Sequence, residues 1–351
     1  MEPLIIFVKN LAKGGAEKQA VLLARSLCKD FEIHVIVFEG DVIHESYKAM
    51  LASTDIVLHQ LHGGFLNKLN QTKLLFTNLK PKAVFSYLTG ANAIAAYLGH
   101  KTGVNVVTGI RSAKLPFWKM IADRYITNKL ATMTVSNSFS GRQAFVSRGF
   151  QAARMTVIPN CFENITPLHR KEQSEKITVI TVGRFVPEKD FTTAIRSVAR
   201  AAESYKNLHF VIVGYGKLED DIRKKVSENG IEHITDILID PPGIPDLLEG
   251  SDIYLSTSTF EGTSNSVIEA MNADLPIVAT AVGDNPRMVS DNNGRLCSVR
   301  DVSSISDAIV QIARSYDERV RMGAESKRLL IEMFSAERFR DNYINLINSL
   351  P

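Results

Sequence analysis

The chain has 351 residues, of which 45% are hydrophobic and 23% are charged, a composition typical of soluble globular proteins. This length exceeds what one hydrophobic core usually holds, which predicts two domains. The three cysteines have no CxxC or Cys/His spacing, which argues against a disulfide framework or a zinc site and favours a reducing cytoplasm. No apolar stretch approaches the roughly 20 residues of a membrane-spanning helix. The short apolar run Leu4–Val8 indicates a first strand rather than a signal peptide.

The net charge of +3 conceals an asymmetry between the two halves of the chain. Residues 1–170 contain 20 Lys and Arg against 10 Asp and Glu, whereas residues 171–351 contain 21 against 28. A basic N-terminal half favours an anionic partner, and nucleic acid is not expected to be that partner. Solvated surface charge is the alternative, and it is the better explanation for any single lysine.

Apolar, β-branched runs alternate with amphipathic helical patterns along the whole chain. Such runs are typical of parallel sheets covered by helices on both faces. Nine strands are predicted, with the sequences LIIFV, IHVIVF, AVFSYL, VNVVTGI, ATMTVS, ITVITVG, HFVIVG, SDIYLST and LPIVATA. The polar segment 160–176 separates them into two sets and predicts an interdomain linker. The predicted fold is therefore α/β, with two doubly wound, Rossmann-like domains facing a central cleft that receives the ligand.

The first candidate site is a glycine pair, Gly14 and Gly15, which directly follows the first strand and opens a helix in NLAKGGAEKQAVLLARSL. Glycines allow the backbone to approach a ligand closely, and the N–H groups of a helix N-terminus suit an anion. A tight turn between strand and helix explains the pair equally well.

The second candidate is VGRFVPEKD, residues 182–190, in which Arg184 and Lys189 follow a strand that ends at Gly183. Two cations at the carboxyl end of a strand suit a diphosphate, although a solvated pair of loop charges is as good an explanation. Asp190 is a predicted N-cap of the next helix. A further glycine turn, VGYGKLED with Gly214, lacks the third glycine of a dinucleotide fingerprint, so NAD binding is not favoured.

The third candidate is FEGTSNSVIEAM, residues 260–271, with Glu261 in a loop and Glu269 inside a helix. Ser264 or Asn265 is expected to cap that helix, whose positive end suits phosphate oxygens. Glu261 can accept hydrogen bonds from sugar hydroxyls, and Glu269 can accept them from a vicinal diol such as a ribose. A capped helix with two ordinary surface glutamates is the alternative.

Together these motifs resemble the retaining glycosyltransferases with the GT-B fold, family 4 of the sequence classification. The resemblance runs nearly end to end and is strongest in VGRFVPEKD and in the Glu261–Glu269 spacing. It also includes MTVSNSFSG, VIPNCFE, IVGYGKLED, PIVATAVGDN and NGRLCSV, in the order of the family. Relatives send their last helix back to the first domain, which implies one domain of residues 1–165 plus 335–351 and a second of residues 170–334.

The resemblance assigns roles to the motif residues. Arg184 and Lys189 would bind the donor diphosphate, Glu261 would face the transferred sugar, and Glu269 would hold the ribose. The remaining donor-binding residues would be Gly15, Gly183, Gly214, Gly262, Thr263, Ser264, Asn265 and Ser266. Many relatives have a histidine near the position of Arg111, which makes Arg111 a further catalytic candidate whose role the resemblance leaves open. Such enzymes generally need no metal, and no metal site or other cofactor is expected here.

The implied function is transfer of a hexose or N-acetylhexosamine, with UDP-sugar as the favoured donor, to a lipid-linked, lipopolysaccharide or capsular glycan. Two alternatives stay open. One is a sugar-nucleotide epimerase or hydrolase on the same scaffold, and the other is a non-catalytic binding subunit.

Two segments of the N-terminal half, 64–82 and 111–129, mix basic residues with large apolar ones. Basic amphipathic helices suit the face of an anionic bilayer, which predicts a cytoplasmic protein with peripheral contact on the inner face of the plasma membrane. The alternative is that Phe117, Trp118 and Ile121 pack into the core of the domain.

Overall fold

The computed structural model describes residues 1–111, 116–169 and 173–351. The chain divides into an N-terminal unit, Met1–Glu163 with Phe334–Pro351, and a C-terminal unit, Asn164–Met333. Each unit has one all-parallel sheet whose strands are joined by helices, which confirms the predicted α/β class. Parallel strands require such crossover connections, because a tight turn cannot return the chain to the start of the next strand.

The N-terminal sheet has the strand order β3-β2-β1-β4-β5-β6-β7. Its strands are β1 Pro3–Val8, β2 Glu32–Val37, β3 Val57–Gln60, β4 Ala83–Tyr87, β5 Val106–Ile110, β6 Met133–Ser136 and β7 Met155–Val157. The helices of this unit are α1 Gly15–Leu27, α2 Glu45–Ala52, α3 Phe65–Leu79, α4 Thr89–Thr102, α5 Phe117–Tyr125, α6 Phe139–Val146 and, at the end of the chain, α14 Ala336–Asn348.

The last helix, α14, completes one face of the N-terminal core together with α1 and α2. Tyr343 is 1% exposed, and its ring lies 5.5 Å from that of Phe85 in an edge-on arrangement. Phe339 packs edge-on against the Tyr343 ring, with ring centroids 4.9 Å apart. Arg340 on the same helix pairs with Asp30 at 2.6 Å. Aromatic burial therefore ties the end of the chain to the first half of its sequence.

The C-terminal sheet has the order β10-β9-β8-β11-β12-β13. Its strands are β8 Ile177–Arg184, β9 Leu208–Tyr215, β10 Thr235–Ile239, β11 Ile253–Ser256, β12 Ile277–Thr280 and β13 Gly294–Cys297. The helices are α7 Phe191–Ser204, α8 Glu219–Glu228, α9 Ile244–Glu249, α10 Asn265–Asn272, α11 Asn285–Met288, α12 Val302–Ala313 and α13 Tyr316–Phe334. The direction of winding reverses between β8 and β11, and the N-terminal sheet has the same reversal between β1 and β4.

All nine predicted strands are present, and the four that were not predicted, β3, β7, β10 and β13, are the edge strands of the two sheets. Edge strands pair on one side only and are partly solvated, so they lack the continuous apolar run that marks a buried parallel strand.

Helix α5 exposes its large apolar side chains, so the alternative that they pack into the core is wrong. Phe117 is 79% exposed, Trp118 64% and Ile121 45%. The residue that α5 buries is instead Asp123, which accepts a hydrogen bond from Thr89 Oγ1 at 2.9 Å and whose pKa burial raises to about 6. Residues 112–115 of the predicted segment lie outside the described part of the chain. Within that described part, no helix has the length and apolar character needed to span a bilayer.

We predict that Tyr343→Ala lowers the free energy of unfolding by about 3 kcal/mol, because it leaves a cavity against Phe85. Thermal unfolding measures the effect, and Asn345→Ala is the matched control on the exposed side of α14. An equal and small loss in both variants would contradict the role of α14 in the N-terminal core.

Candidate functional site

The loops that follow β8 and β11 meet at the carboxyl edge of the C-terminal sheet. The two strands are hydrogen-bonded neighbours at the reversal of the strand order, where the connections diverge and leave a crevice. Across this crevice, Lys189 Nζ lies 2.6 Å from Glu261 Oε1. The motifs VGRFVPEKD and FEGTSNSVIEAM are therefore in direct contact.

The backbone around Lys189 is fixed from the β11 side. Thr257 Oγ1, just beyond β11, donates to the carbonyl oxygens of Lys189 at 3.1 Å and of Asp190 at 2.9 Å. Asp190 in turn accepts a hydrogen bond from Thr193 N and caps α7, as predicted from the sequence. The position of the Lys189 ammonium thus depends on both strands.

The Lys189–Glu261 pair is largely enclosed, with 21% of the Lys189 side chain and 14% of the Glu261 side chain exposed. Glu261 Oε1 also accepts a hydrogen bond from Ser258 Oγ at 2.8 Å. Enclosed charges are screened less than surface charges, and removal of one partner leaves the other uncompensated. The pair therefore fixes both loops relative to each other.

The start of α10 presents unused backbone donors. Ser264 occupies the predicted N-cap position, but its side chain makes no capping hydrogen bond. The preceding loop is held by Asp284, which donates its N–H to Gly262 O at 2.9 Å and accepts from Thr263 Oγ1 at 2.8 Å. Gly283, next to Asp284, has φ +57°, and a side chain there would collide with the backbone of Glu261 and Gly262. This close approach requires glycine.

Glu269 lies one turn into α10 and is mostly buried. Burial raises the pKa of its carboxyl group, and the nearby Lys189 charge opposes that shift. Within the described residues, its carboxylate accepts no hydrogen bond. The buried Tyr254 hydroxyl beside it donates to Val182 O at 3.3 Å, and burial raises the pKa of this phenol. Glu269 is consequently an acceptor without a donor in a partly dry position.

Arg184, the last residue of β8, is exposed, and its side chain makes no ion pair or hydrogen bond with another described residue. Its neighbour Gly183 pairs with Gly214 on β9, where a side chain on Gly214 would collide with the Gly183 carbonyl. Because both residues are glycines, no side chain covers this end of the two strands. The Arg184 guanidinium lies beside it, without a partner among the described residues.

The N-terminal unit contains the two remaining predicted residues, Gly15 and Arg111. Gly15 is the first residue of α1, and a side chain there would meet no atom within 4 Å, so packing within the unit does not require glycine. Arg111 follows β5; its guanidinium lies 4.6 Å from the centroid of the Tyr87 ring and donates to Asn160 Oδ1 at 2.5 Å. Tyr87 also lines a cavity of about 90 Å³ that reaches the start of α1.

The predicted residues thus form two groups. The first lies at the carboxyl edge of the C-terminal sheet and in the first turns of α10, and consists of Gly183, Arg184, Lys189, Gly214, Glu261, Gly262, Thr263, Ser264, Asn265, Ser266 and Glu269. The second, Gly15 and Arg111, lies at the corresponding edge of the other unit's sheet.

Several residues that shape these sites were not singled out from the sequence: Thr257, Ser258, Asp284, Tyr254 and Asn160. Asp284 lies within PIVATAVGDN and Asn160 within VIPNCFE, so motif membership could have indicated both. Thr257 is the last residue of the predicted strand SDIYLST, and Ser258 directly follows it, so a polar pair at a strand end is also a usable signal.

The described side chains form no cluster suited to a metal ion. Across residues 1–111, 116–169 and 173–351, no group of three or more His, Cys, Asp or Glu side chains is arranged to hold one. The expectation that no metal is required stays a prediction.

Comparison with known proteins matches residues 165–329 to the family model of glycosyl transferases group 1. Over 179 residues the chain is 28% identical to the poly(ribitol-phosphate) alpha-N-acetylglucosaminyltransferase of Staphylococcus aureus (strain COL), an alignment that covers 50% of this chain and 36% of that protein. The chain spans about a third to a half of the length of the first curated relatives it matches.

Another relative matches from end to end at lower identity. It is the GalNAc-alpha-(1->4)-GalNAc-alpha-(1->3)-diNAcBac-PP-undecaprenol alpha-1,4-N-acetyl-D-galactosaminyltransferase of Campylobacter jejuni subsp. jejuni serotype O:2, 21% identical over 99% of this chain and 98% of that protein. Among solved structures, Anabaena Alr3699/HepE in complex with UDP superposes with a TM-score of 0.79 and 16% identity, covering 99% of this chain and 100% of that chain.

The structural likeness shows a shared fold, and the predicted GT-B type of two doubly wound units is confirmed. The family model covers most of the C-terminal unit, including Lys189, Glu261 and Glu269. Assignment to family 4 in particular stays a prediction. Over residues 165–329, the C-terminal unit is therefore a glycosyl transferases group 1 domain.

Proposed function

We propose that the chain is a retaining glycosyltransferase of cell-surface glycan synthesis, which moves a hexose or N-acetylhexosamine from a nucleoside-diphosphate sugar to a glycan acceptor. The observation that carries this proposal is the Lys189–Glu261 pair at the strand reversal, beside the uncapped N-terminus of α10. A cation, a carboxylate and free backbone N–H groups together are what a sugar diphosphate requires.

The diphosphate would be bound by groups of the C-terminal unit. Arg184 offers a planar guanidinium for bidentate contact. Lys189 has three N–H donors, of which Glu261 accepts one, so two are available to phosphate oxygens. The first turn of α10 adds backbone N–H groups and the positive end of the helix dipole. Among the predicted donor-binding residues, these N–H groups belong to Asn265 and Ser266.

The two carboxylates, Glu269 and Glu261, would accept hydrogen bonds from the nucleoside and from the transferred sugar, respectively. Glu269 needs hydrogen-bond donors to offset the cost of its burial, and the two hydroxyls of a ribose supply them. Glu261 would accept from hydroxyls of the transferred sugar while Lys189 and Ser258 hold it in place. Complexes of Anabaena Alr3699/HepE, which shares the fold, contain UDP and UDP-glucose, which supports a UDP-sugar donor.

Transfer with retention would proceed by attack on the face of the sugar that the diphosphate leaves. The acceptor oxygen bonds to the anomeric carbon as the bond from that carbon to the phosphate oxygen breaks, and the departing diphosphate accepts the acceptor's proton. Catalysis is then positioning plus stabilisation of the leaving-group charge. Arg184, Lys189 and the start of α10 supply that stabilisation.

The acceptor is proposed to be a lipid-linked, lipopolysaccharide or capsular glycan. Relatives from Saccharomyces cerevisiae and Schizosaccharomyces pombe are named for phosphatidylinositol. Three other relatives are named for poly(ribitol-phosphate), for the lipopolysaccharide core and for an undecaprenol-linked glycan, all of which belong to cell envelopes. This shared class of acceptor supports the proposal.

The N-terminal unit would rest on the anionic inner face of the plasma membrane through α5 and α3. Helix α5 exposes Phe117 and Trp118 and buries the carboxyl group of Asp123, the reverse of what water favours. Lys119 Nζ lies 5.3 Å from the Trp118 ring centroid, so a cation accompanies the aromatic face. Helix α3, which packs on α4 as α5 does, exposes Phe65 in the same way. Apolar and basic side chains together suit an anionic bilayer.

Two other activities would use the same donor site. A sugar-nucleotide epimerase or hydrolase would release altered or free sugar without an acceptor, and a binding subunit would release none. Analysis of the products formed from UDP- and GDP-sugars separates both from transfer.

We predict that Lys189→Ala lowers the transfer rate by about 10²–10³-fold, because leaving-group stabilisation is lost, while the fold persists. Turnover and melting temperature are measured together, with Lys206→Ala as control, since Lys206 is exposed before the start of β9. Near-normal transfer by Lys189→Ala would refute the assignment of this site.

We predict that Glu269→Gln stabilises the protein near pH 7 and weakens its binding of UDP. The raised pKa means that the native state binds the Glu269 proton more tightly than the unfolded chain does, so wild-type stability falls as pH rises above the ordinary value of 4.5. Glu269→Gln removes this loss, and its melting temperature should exceed that of the wild type near pH 7 but match it below pH 4.5.

The same variant should bind UDP about tenfold more weakly by calorimetry, because an amide replaces a charged acceptor of the ribose hydroxyls. Exposed Glu249→Gln should change neither quantity. UDP affinity equal to the wild type would remove Glu269 from the donor site.

We predict that the double substitution Phe117→Ser and Trp118→Ser reduces binding to anionic vesicles about tenfold or more, because each exposed aromatic contributes roughly 1.5–3 kcal/mol when buried. Flotation with phosphatidylglycerol vesicles measures the bound fraction, and high salt should weaken it. Ile331→Ser, an exposed apolar residue of the C-terminal unit, is the control. Salt-insensitive or absent flotation of the wild type would count against docking.

A further inference from the structure

Arg111 is a partly buried cation without a counter-ion in the described part of the chain. Its Nε and Nη2 atoms are inaccessible to solvent and have no hydrogen-bond partner there. Only Nη1 is engaged, by the donation to Asn160 Oδ1. A guanidinium in this condition is costly, because burial removes its hydration and no acceptor replaces it.

The unengaged atoms form one geometric unit. In a guanidinium, the N–H groups of Nε and Nη2 point in parallel from the same edge, the arrangement that receives two oxygens of one oxyanion. The described contacts of Arg111 leave that edge without an acceptor: the Tyr87 ring covers a face at 4.6 Å, and Asn160 accepts from the opposite nitrogen. The neighbours therefore orient the side chain without consuming its bidentate edge.

Neither of the described neighbours of the guanidinium supplies the missing anion. Burial raises the pKa of the Tyr87 hydroxyl well above its ordinary value, so this ring stays neutral beneath the cation. Asn160 is an amide and carries no charge. Residues 112–115, which follow Arg111, have the sequence Ser-Ala-Lys-Leu and bring no acidic side chain.

We propose that Arg111 is the bidentate anchor of a phosphate-binding subsite in the N-terminal unit, with Tyr87 and Asn160 as its positioning residues. The phosphate belongs either to an acceptor that carries a phosphodiester or diphosphate, or to the donor diphosphate. The assignment to one of these substrates rests on the proposed function, whereas the binding of phosphate by Arg111 does not.

The location agrees with a ligand rather than with a purely structural role. Arg111 lies at the carboxyl edge of β5, two strands from β1 in the order β1-β4-β5, and ligands of doubly wound sheets bind at this edge. Tyr87, which orients it, also lines the cavity beside Val8 and Ala16. Gly15 lies at the start of α1, beside this cavity. Packing does not require glycine at this position, so the start of α1 also leaves space for a bound group.

The test is calorimetric titration of the full chain with inorganic phosphate, first alone and then in the presence of saturating UDP. Wild type is compared with Arg111→Gln and with Arg124→Gln, an exposed arginine of the same unit. UDP itself is titrated into all three. If Arg111→Gln does not fold, Arg111→Lys replaces it, because lysine keeps the charge but lacks the paired donors.

Phosphate should bind the UDP-saturated wild type, and Arg111→Gln should bind it about tenfold more weakly or worse, with UDP affinity unchanged and Arg124→Gln equal to wild type. That result assigns the phosphate to the acceptor. If saturating UDP abolishes phosphate binding and Arg111→Gln loses UDP affinity instead, the subsite holds the donor phosphate.

Equal phosphate and UDP affinities in wild type and Arg111→Gln would overturn the inference. So would a variant that only loses thermal stability, because this outcome makes Arg111 a structural residue. Failure of every form to bind UDP would refute the proposed donor site, while the titration with phosphate alone would still test Arg111.

Discussion

The contact between Lys189 and Glu261 is the constraint on which the site of the C-terminal unit depends. The two residues come from loops on either side of the strand reversal, and their bond closes a crevice that the topology leaves open. Thr257 fixes the backbone of one loop and Asp284 that of the other. The start of α10 lacks a side-chain cap, and the Glu269 carboxylate accepts no hydrogen bond from a described residue. Both features destabilise the fold locally, and proteins retain such features mainly where a bound ligand compensates for them.

Most of the fold could be predicted from the sequence, because central parallel strands are apolar on both faces. The four edge strands could not, since strands such as β3 (VLHQ) and β10 (TDILI) contain polar residues where solvent reaches them and lack a continuous apolar run. At the site, the residue types and their position at strand ends were predictable. Their mutual contact was not, because it requires β8 and β11 to be neighbours, and strand order is a property of the tertiary fold rather than of any single run. The capping by Asp190 was local and was predicted correctly.

The N-terminal unit shows the complementary limit of sequence reasoning. The pattern of α5 has aromatic and charged residues but does not say which side faces the core. In the structure, Trp118 is exposed and Asp123 is buried, which is the opposite of what the polarity of the two side chains favours. Arg111 is a similar case: its sequence position marked it as unusual, and the structure shows that Nε and Nη2 of its guanidinium have no hydrogen-bond partner among the described residues, while Tyr87 and Asn160 orient the group. The exposed apolar surface of α5 and this cation both lie in the basic half of the chain.

We propose that the crevice between the loops of β8 and β11 binds a nucleotide sugar for transfer with retention. The most direct test incubates the chain with a panel of UDP- and GDP-sugars and a lipid-linked glycan fraction, and determines the products and their anomeric configuration by NMR. We expect acceptor-dependent transfer from a UDP-sugar, with the configuration of the donor preserved in the new linkage. Free sugar, an epimerised nucleotide sugar or an inverted linkage would contradict it.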